Sequence, residues 1–188
     1  MPAVVDHEAR RRAVAEVTAD LIAKAGIEAV TVREVAQAAG YSTAIVSHYF
    51  ASKVELLFYT YRATVLRAHR RMEAALAAGG LRAYLAALLP LNDEQRRDWL
   101  VWFAFWTMAI AEQRLSEEQQ QRSRQVTNRF TALLRDRGLD DAAAKEGARR
   151  LLITIYGVAS QAFFDPETWP AETQLTLLDA DLAALGVT

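Results

Sequence analysis

Hydrophobic positions recur every three or four residues along most of the chain, and polar or glycine-containing stretches interrupt them. The first predicted helix runs from Asp6 to about Ala25, and Gly26 ends it because glycine adopts the left-handed conformation without strain. Ser116 and Gln119 form a capping box that predicts the start of a later helix. The pattern predicts an all-α protein of about nine helices, the others spanning about 31–39, 42–50, 52–78, 81–89, 93–111, 116–137, 140–164 and 171–185.

The stretch TVREVAQAAGYSTAIVSHYFASK contains the densest set of helix start and stop signals. Thr31 begins a capping box in which Glu34 is expected to reach back to the Thr31 amide. Gly40 ends this helix, Ser42 caps the next one, and Ser52 begins a second capping box. Two short helices joined by a glycine turn are typical of a helix-turn-helix, although ordinary helix hairpins share these signals.

The second of these short helices has an unusual outer face. Its predicted inner face carries Ile45, Val46 and Phe50, whereas its outer positions are small, polar and uncharged. A short helix with this outer face and with hydroxyls near its N-terminus fits the major groove of DNA. The outer positions are Thr43, Ala44, Ser47 and His48.

The segment EVAQAAGYSTAIVSHYFASKVELL resembles the DNA-binding domain of the TetR family of bacterial transcriptional regulators, and STAIVSHYF followed by SK is closest to its BetI-like branch. The resemblance implies a three-helix DNA-binding domain at 7–67, with the helix-turn-helix at about 31–50. It also implies a helical effector-binding and dimerisation domain at 68–188. We therefore expect a homodimeric transcriptional regulator, most simply a repressor that binds a palindromic double-stranded DNA operator and is released by a small-molecule effector.

The predicted DNA contacts divide into base readers and phosphate binders. Arg33, aligned with a position that faces the groove in the family, is expected to read guanine. Lys53 opposes the helix dipole in the first turn of its helix, a placement that favours a nearby phosphate, and the resemblance implies the same contact. The expected base contacts are Thr43, Ala44 and Ser47, and the expected phosphate contacts are Thr31, Ser42, His48, Tyr49 and Lys53.

The charge distribution agrees with a DNA-facing N-terminal part. The 188 residues carry a net charge of -1, yet residues 1–71 carry 10 Lys and Arg against 7 Asp and Glu. The remainder is acidic, which suits a part that does not face DNA. Arg10, Arg11 and Arg12 lie near the start of the first helix, where phosphate contact and a simple solvated basic run are equally good interpretations.

The segment WLVWFAFWTMAIA holds three of the four tryptophans. Trp99, Trp102, Phe103, Trp106 and Ile110 fall on one helical face, and the whole helix is apolar enough to be central. Plain core packing is the better interpretation, and an aromatic cavity for an apolar or cationic ligand, such as a choline-type cation, is the alternative. A ligand there would shift the fourth helix and change the spacing of the two DNA-reading helices. The proposed cavity residues are Trp99, Trp102, Phe103, Trp106, Phe130 and Tyr156.

The last two long helices are the expected dimer interface, because the resemblance implies that two copies pair them into a four-helix bundle. Burial within a single chain is the alternative explanation for the same apolar positions. The candidate interface residues are Leu152, Ile155, Phe163, Leu178 and Leu182.

Other functions receive little support from the sequence. The chain has no cysteine, which excludes disulfides and thiol catalysis, and its three histidines lack metal-ligand spacing. Ser47 and His48 point about 100° apart on a helix, so they are a poor nucleophile–base pair. The longest apolar run is too short to span a bilayer. We therefore expect a cytoplasmic protein with no membrane partner, metal, cofactor or enzymatic activity; the alternative function is a helical DNA- or partner-binding module without an effector.

Overall fold

The computed structural model describes residues 7–187, and all regular structure in that range is helical. The all-α prediction is confirmed, although Asp6, the predicted first helical residue, lies outside the described range. A 3-10 turn, Ile27–Ala29, follows the first helix. The α-helices are α1 (His7–Ala25), α2 (Val32–Ala39), α3 (Thr43–Tyr49), α4 (Lys53–Ala86), α5 (Asp93–Ala111), α6 (Gln113–Arg135), α7 (Asp141–Phe164) and α8 (Ala171–Ala184).

The long helix α4 combines two of the predicted helices and is interrupted between them. Gly79 has φ -144° and Gly80 has φ 70° with ψ -160°, so neither residue is helical. The positive φ of Gly80 lies in the region that favours glycine. The predicted break at the glycine pair is therefore present, and it explains why nine helices were expected where eight are assigned.

The predicted start of a helix at Ser116 is wrong. Helix α6 already begins at Gln113, and the Ser116 amide donates to the Glu112 carbonyl at 3.0 Å within its first turn. Glu112 occupies the cap position without a side-chain cap hydrogen bond. A capping box marks a helix start only where the residue before it leaves the helical conformation, and nothing between Gln113 and Ser116 forces that.

The chain forms two compact units that divide it differently from the predicted domains. The N-terminal unit consists of the chain up to Arg67 together with Arg97–Met108, and the C-terminal unit consists of Ala68–Arg96 and the chain from Ala109 onward. Most of the aromatic segment of α5 thus belongs with the helix-turn-helix, whereas the sequence analysis placed it in the C-terminal domain.

The aromatic segment is closely packed within the N-terminal unit. Trp99 and Phe105 are each 1% exposed, and the Phe105 ring stacks on Tyr61 with centroids 3.8 Å apart. The indole N–H of Trp102 donates to the Thr64 hydroxyl at 3.0 Å. Core packing, the better of the two interpretations of these rings, therefore describes Trp99 and Trp102.

One residue of the predicted aromatic face lies elsewhere. Ile110 was expected on the same buried face as Trp99, but its side chain is 89% exposed. It belongs to the C-terminal unit, one residue before α5 ends. Helical spacing places residues on a common face, but it does not show where along a helix the neighbouring elements stop covering that face.

Ion pairs tie α1 to α4 and α5 within the N-terminal unit. Arg67 of α4 bonds both Glu16 and the fully buried Asp98 carboxylate, and Arg97 bonds both Glu16 and Asp20. Burial alone would lower the pKa of Arg97, but the hydrogen bonds to Glu16 and Asp20 outweigh it and raise that pKa above its usual value. The three helices are thereby held in one arrangement.

The C-terminal unit has its own core between α6, α7 and α8. Phe130, Leu134 and Leu151 are fully buried, and Gly147 allows a close approach because an added Cβ would lie 3.0 Å from side-chain atoms of Leu134 and Leu185. Asp181 of α8 accepts hydrogen bonds from two α7 side chains, Arg150 at 2.6 Å and Thr154 at 2.5 Å.

The proposed dimer-interface residues separate into two groups. Ile155, Leu178 and Leu182 are 0%, 1% and 3% exposed within a single chain, so single-chain burial describes these three. Leu152 and Phe163 are half-buried. The exposed apolar side chains of the same two helices are different residues: Ile153, Phe164 and Leu177.

Among the described helices, none combines the length and the hydropathy that a membrane crossing requires.

Candidate nucleic-acid interface

Helices α2 and α3 form a helix-turn-helix with caps at the predicted residues. The α2 cap is Thr31, whose hydroxyl oxygen accepts from the Glu34 amide at 3.2 Å. Gly40 ends α2 with φ 69° and ψ 28°, the left-handed conformation expected there. Ser42 caps α3 by accepting from the Ile45 amide at 3.3 Å. These local bonds set where each short helix begins and ends.

Helix α3 has the two faces that its sequence predicted. Val46 and Phe50 are 0% and 2% exposed and belong to the core of the N-terminal unit, and Ile45 is half-buried. The predicted outer positions are all solvent-exposed: Thr43, Ala44, Ser47 and His48. The helix therefore presents a small, uncharged surface with hydroxyls close to its N-terminus.

Two of the three hydroxyls predicted to bind phosphate, those of Thr31 and Ser42, differ in their availability. The Thr31 hydroxyl donates its proton to the Glu34 carboxylate at 2.7 Å, where the sequence analysis expected Glu34 to accept from the Thr31 amide. A hydroxyl has one proton to donate, so Thr31 must release Glu34 before it donates to a phosphate. Ser42 accepts from an amide and keeps its own proton.

Lys53 lies at the start of α4 and already has a partner. Its Nζ donates to the carbonyl of Ile27, in the turn between α1 and α2, at 3.0 Å. An ammonium group has three protons, so this bond leaves donors for a phosphate. The lysine thus connects the two elements on either side of the helix-turn-helix in addition to its predicted role.

The arginine run at the start of α1 has three different environments. Arg11 lies over the rings of Phe50 and Tyr59, with its guanidinium carbon 5.2 and 4.7 Å from their centroids, so it packs α1 onto its neighbours. Arg12 is 4.0 Å from Glu8 on the same helix. Arg10 instead lines a groove against α3. Of the three arginines, Arg10 is therefore the one that lies beside α3.

A hydrogen bond fixes the first turn of α1 on α4. The Tyr59 hydroxyl donates to the Glu8 carboxylate at 2.6 Å. Burial, together with this hydrogen bond to Glu8, raises the pKa of Tyr59 to about 12, so the hydroxyl keeps its proton across the physiological range.

The groove between α1 and α3 contains residues that sequence reasoning did not connect. Its volume is about 350 Å³, and Nδ1 of His7 lies 3.1 Å from the Tyr49 hydroxyl across it. His7 and Tyr49 are 42 positions apart, and no local pattern could pair them. The groove is lined by His7, Arg10, Ala44, Ile45, His48 and Tyr49.

The proposed effector residues are divided between the two units. Trp99, Trp102, Phe103 and Trp106 form one ring cluster in the N-terminal unit, with the Trp99 centroid 5.0 to 5.8 Å from the other three. Phe130 is fully buried in the C-terminal unit, 6.1 Å from the Tyr84 ring. In the same unit, burial raises the pKa of Tyr156 to about 12, so this hydroxyl stays neutral.

The part of the chain that the structure describes contains no candidate metal site. No three His, Cys, Asp or Glu side chains between residues 7 and 187 are grouped closely enough to share an ion.

Two family models match the chain. One, described as bacterial regulatory proteins of the tetR family, matches residues 15–60, and the other, described as the C-terminal domain of BetI-type transcriptional repressors, matches residues 77–187. The chain belongs to the TetR family. The BetI-like resemblance seen in the helix-turn-helix is confirmed, because the second match covers the separate C-terminal region.

Individual relatives agree with this assignment. The BetI regulator of Burkholderia thailandensis is 32% identical over 164 residues, covering 84% of this chain and 84% of that protein. A crystal structure of a transcriptional regulator from Rhodococcus sp. Rha1 matches with TM-score 0.84 at 28% identity, over 93% of this chain and 95% of the other. The prediction of a DNA-binding transcriptional regulator is confirmed.

A third comparison, with another solved structure, supports the fold only. It is a transcriptional regulator from Saccharomonospora viridis, crystallised in complex with choline, with TM-score 0.83 at 24% identity. The match covers 94% of this chain and 96% of that chain.

The environments of Arg10 and Arg12 generate a matched pair of predictions. Arg10→Gln should weaken binding to any duplex DNA, because a phosphate contact is lost. The slope of log affinity against log salt should fall by about 1 for each DNA-bound copy of the helix-turn-helix, here called a reading head. Arg12→Gln removes the same charge from the side that pairs with Glu8 and should leave both quantities nearly unchanged. Fluorescence anisotropy over a salt series measures both, and equal losses in the two variants would show that only net charge matters.

Proposed function

We propose that this TetR-family protein is a ligand-responsive repressor that binds a palindromic operator as a homodimer and is released by a small molecule. The observation that supports this proposal is the exposed, small and uncharged face of α3, together with a cation near the start of each of three other helices. Such a face approaches base edges closely, and cations on the other helices are available to bind phosphates or a guanine edge. These cations are Arg10 of α1, Arg33 of α2 and Lys53 of α4.

The division of DNA contacts follows from side-chain chemistry and exposure. Arg33 is exposed and points a planar fork of donors, which suits the two acceptors of guanine. Ala44 offers a methyl group to thymine, and Thr43 and Ser47 offer hydroxyls to base edges. The phosphate set comprises Thr31, Ser42, His48, Tyr49 and Lys53. Two copies would place α3 in successive major grooves, about 34 Å apart for half-sites separated by one helical turn.

The base and phosphate roles are tested on the DNA immediately upstream of this protein's own gene, with random DNA as competitor. Lys53→Gln keeps a donor for the Ile27 carbonyl but removes the charge, so it should weaken binding to operator and random DNA alike. Arg33→Ala should instead cost about 1–3 kcal/mol at one base pair and relax the preference there. If Arg33→Ala weakened both DNAs equally, its role as a base reader would be refuted.

The proposed dimer interface is the exposed apolar face of α7 and α8. Ile153 and Phe164 of α7 are 72% and 85% exposed, and Leu177 of α8 is 37% exposed. Ile153, Gly157 and Phe164 follow i, i+4 and i+11 spacing, which places them on one side of the helix. Regulators of this family act as dimers, so a second copy is the partner that we propose for this face.

A charged residue in this face should dissociate the dimer. Ile153→Glu is expected to change the mass in solution from twice 20.9 kDa to the single-chain value and to weaken operator binding strongly, since one reading head binds far less tightly than two. Ile110→Glu is the matched control, because Ile110 is also an exposed isoleucine, 89% against 72% for Ile153, but lies on α5. Light scattering after size exclusion measures the mass; dissociation by both variants, or by neither, contradicts the assigned face.

The effector that we propose is a small quaternary ammonium compound of the choline type. Support comes from the BetI-type C-terminal match and from the choline complex of the Saccharomonospora viridis regulator. Indole and phenyl faces attract such cations, and α5 carries three tryptophans and two phenylalanines. Trp99 and Trp102 are nearly completely buried, so the half-buried Phe103 and Trp106 are the rings of the N-terminal unit that have exposed surface for a ligand. Tyr156 is also half-buried, but it belongs to the C-terminal unit.

Thermal denaturation distinguishes the ligand-responsive repressor from a module without an effector. Choline should raise the melting temperature and weaken operator binding, whereas its neutral analogue 3,3-dimethylbutanol should do neither, because a cation–π contact requires the charge. Trp106→Leu should reduce the choline effect while leaving DNA affinity without choline intact. Stabilisation by neither compound, with operator binding preserved, would refute the choline-type effector; equal stabilisation by both would assign the site to apolar burial.

A further inference from the structure

The contact between His7 and Tyr49 joins α1 to α3, beside the face of α3 that we propose contacts DNA. Nδ1 of His7 lies 3.1 Å from the Tyr49 hydroxyl, and the two rings meet edge to face with centroids 5.8 Å apart. His48 completes the cluster, 6.4 Å from the His7 ring and 5.4 Å from the Tyr49 ring. Histidine is the side chain that ordinarily changes charge between about pH 5 and pH 8.

The direction of this hydrogen bond depends on the protonation of His7. A neutral imidazole carries one N–H, so Nδ1 either donates to the Tyr49 oxygen or accepts the Tyr49 proton. An imidazolium carries N–H groups on both nitrogens, so Nδ1 only donates. When His7 is protonated, the Tyr49 hydroxyl can no longer donate to Nδ1 of His7. The Tyr49 O–H can then donate only to a group outside this pair.

A DNA phosphate favours the same direction of the hydrogen bond between His7 and Tyr49. Phosphate oxygens only accept hydrogen bonds, so a phosphate bound at Tyr49 requires the hydroxyl to donate outward. The phosphate also attracts the positive charge of an imidazolium. Phosphate binding and protonation of His7 thus favour the same state of the cluster, and by linkage each strengthens the other.

Among the described residues that line the groove, none carries a carboxylate. The groups that line it are Arg10 on the same helix and His48 and Tyr49 on α3. The neighbouring Glu8 carboxylate accepts from Tyr59 of α4 and lies 4.0 Å from Arg12. Beyond it, Arg11 pairs with Glu55 at 3.7 Å. A DNA phosphate would add negative charge to a groove whose described lining carries none.

We infer that His7 is a positioning residue of the DNA interface, which acts through the Tyr49 hydroxyl and makes phosphate binding depend on proton uptake. The inference rests on the proposed function, in that it assumes DNA at this face. It adds a residue from α1 that makes no base contact and a proton that accompanies the bound DNA.

Affinity for duplex DNA should increase as the pH falls from 8 to 6 at constant ionic strength. A group whose pKa is higher in the complex than in the free protein strengthens binding at low pH, and this gain is lost as the pH rises through the pKa of the complex. A difference of one pKa unit gives about a tenfold change in affinity for each reading head. Phosphate contacts are independent of sequence, so any duplex at low salt serves as the probe.

Two asparagine variants test the role of His7. His7→Asn keeps a short polar partner for Tyr49 but removes the titration, so affinity at pH 8 should stay within about twofold and the increase towards pH 6 should shrink. His69→Asn is the matched control, because His69 is an exposed histidine on α4 outside the groove. Its pH profile should equal that of the unaltered protein. His48→Asn measures the separate contribution of the other histidine in the groove.

A double-mutant comparison tests the route through the hydroxyl. In a Tyr49→Phe background, the further change His7→Asn should no longer alter the pH profile, because the shared hydrogen bond is already absent. A His7 effect of unchanged size there would overturn the positioning role and leave only a direct charge effect. Wild-type pH dependence in His7→Asn would overturn the inference altogether, while absence of binding to any duplex would contradict the proposed function itself.

Discussion

Helix α3, which we propose contacts the base edges, is too short to be stable alone, and the rest of the N-terminal unit holds it in place. Helix α3 has 7 residues and α2 has 8, whereas an isolated helix in water needs about 12–15 residues to be even marginally stable. Their helical conformation therefore comes from caps at Thr31, Gly40 and Ser42 and from burial of the inner residues Val46 and Phe50. The outer face is consequently free of structural duties, which is what allows it to be small and polar.

The support for this short helix pair combines apolar packing with oriented ion pairs. Buried rings and aliphatic side chains supply the nondirectional stabilisation, while Arg67 and Arg97 fix how α1, α4 and α5 are arranged through carboxylates that each accept from a specific partner. Removing one partner of the buried Asp98 would leave a charge without compensation, a larger loss than the pair contributes in net terms. Such a network specifies one geometry for the surface that meets DNA.

Features encoded within four residues were predictable, and features encoded across the fold were not. The caps at Thr31 and Ser42 and the break at Gly79 and Gly80 follow from residues acting on adjacent backbone, and all appear where expected. The outer face of α3 was predictable for the same reason. Two failures share a cause: the exposure of Ile110 and the pairing of His7 with Tyr49 depend on neighbours that periodicity does not identify. The capping box at Ser116 is the exception among the local signals, because the chain is already helical from Gln113.

The membership of Arg97–Met108 in the N-terminal unit has a consequence for biosynthesis and for modularity. The chain leaves this unit after Arg67 and returns only at Arg97, so a ribosome finishes the helix-turn-helix long before it has made Phe105 and Trp102, the rings that cover Tyr61 and Thr64. The core of the nascent helix-turn-helix segment therefore stays partly exposed until α5 has been synthesised. For the same reason, exchanging heads between relatives by cutting at Arg67 would transfer a half-covered core; the transferable module is discontinuous in the gene.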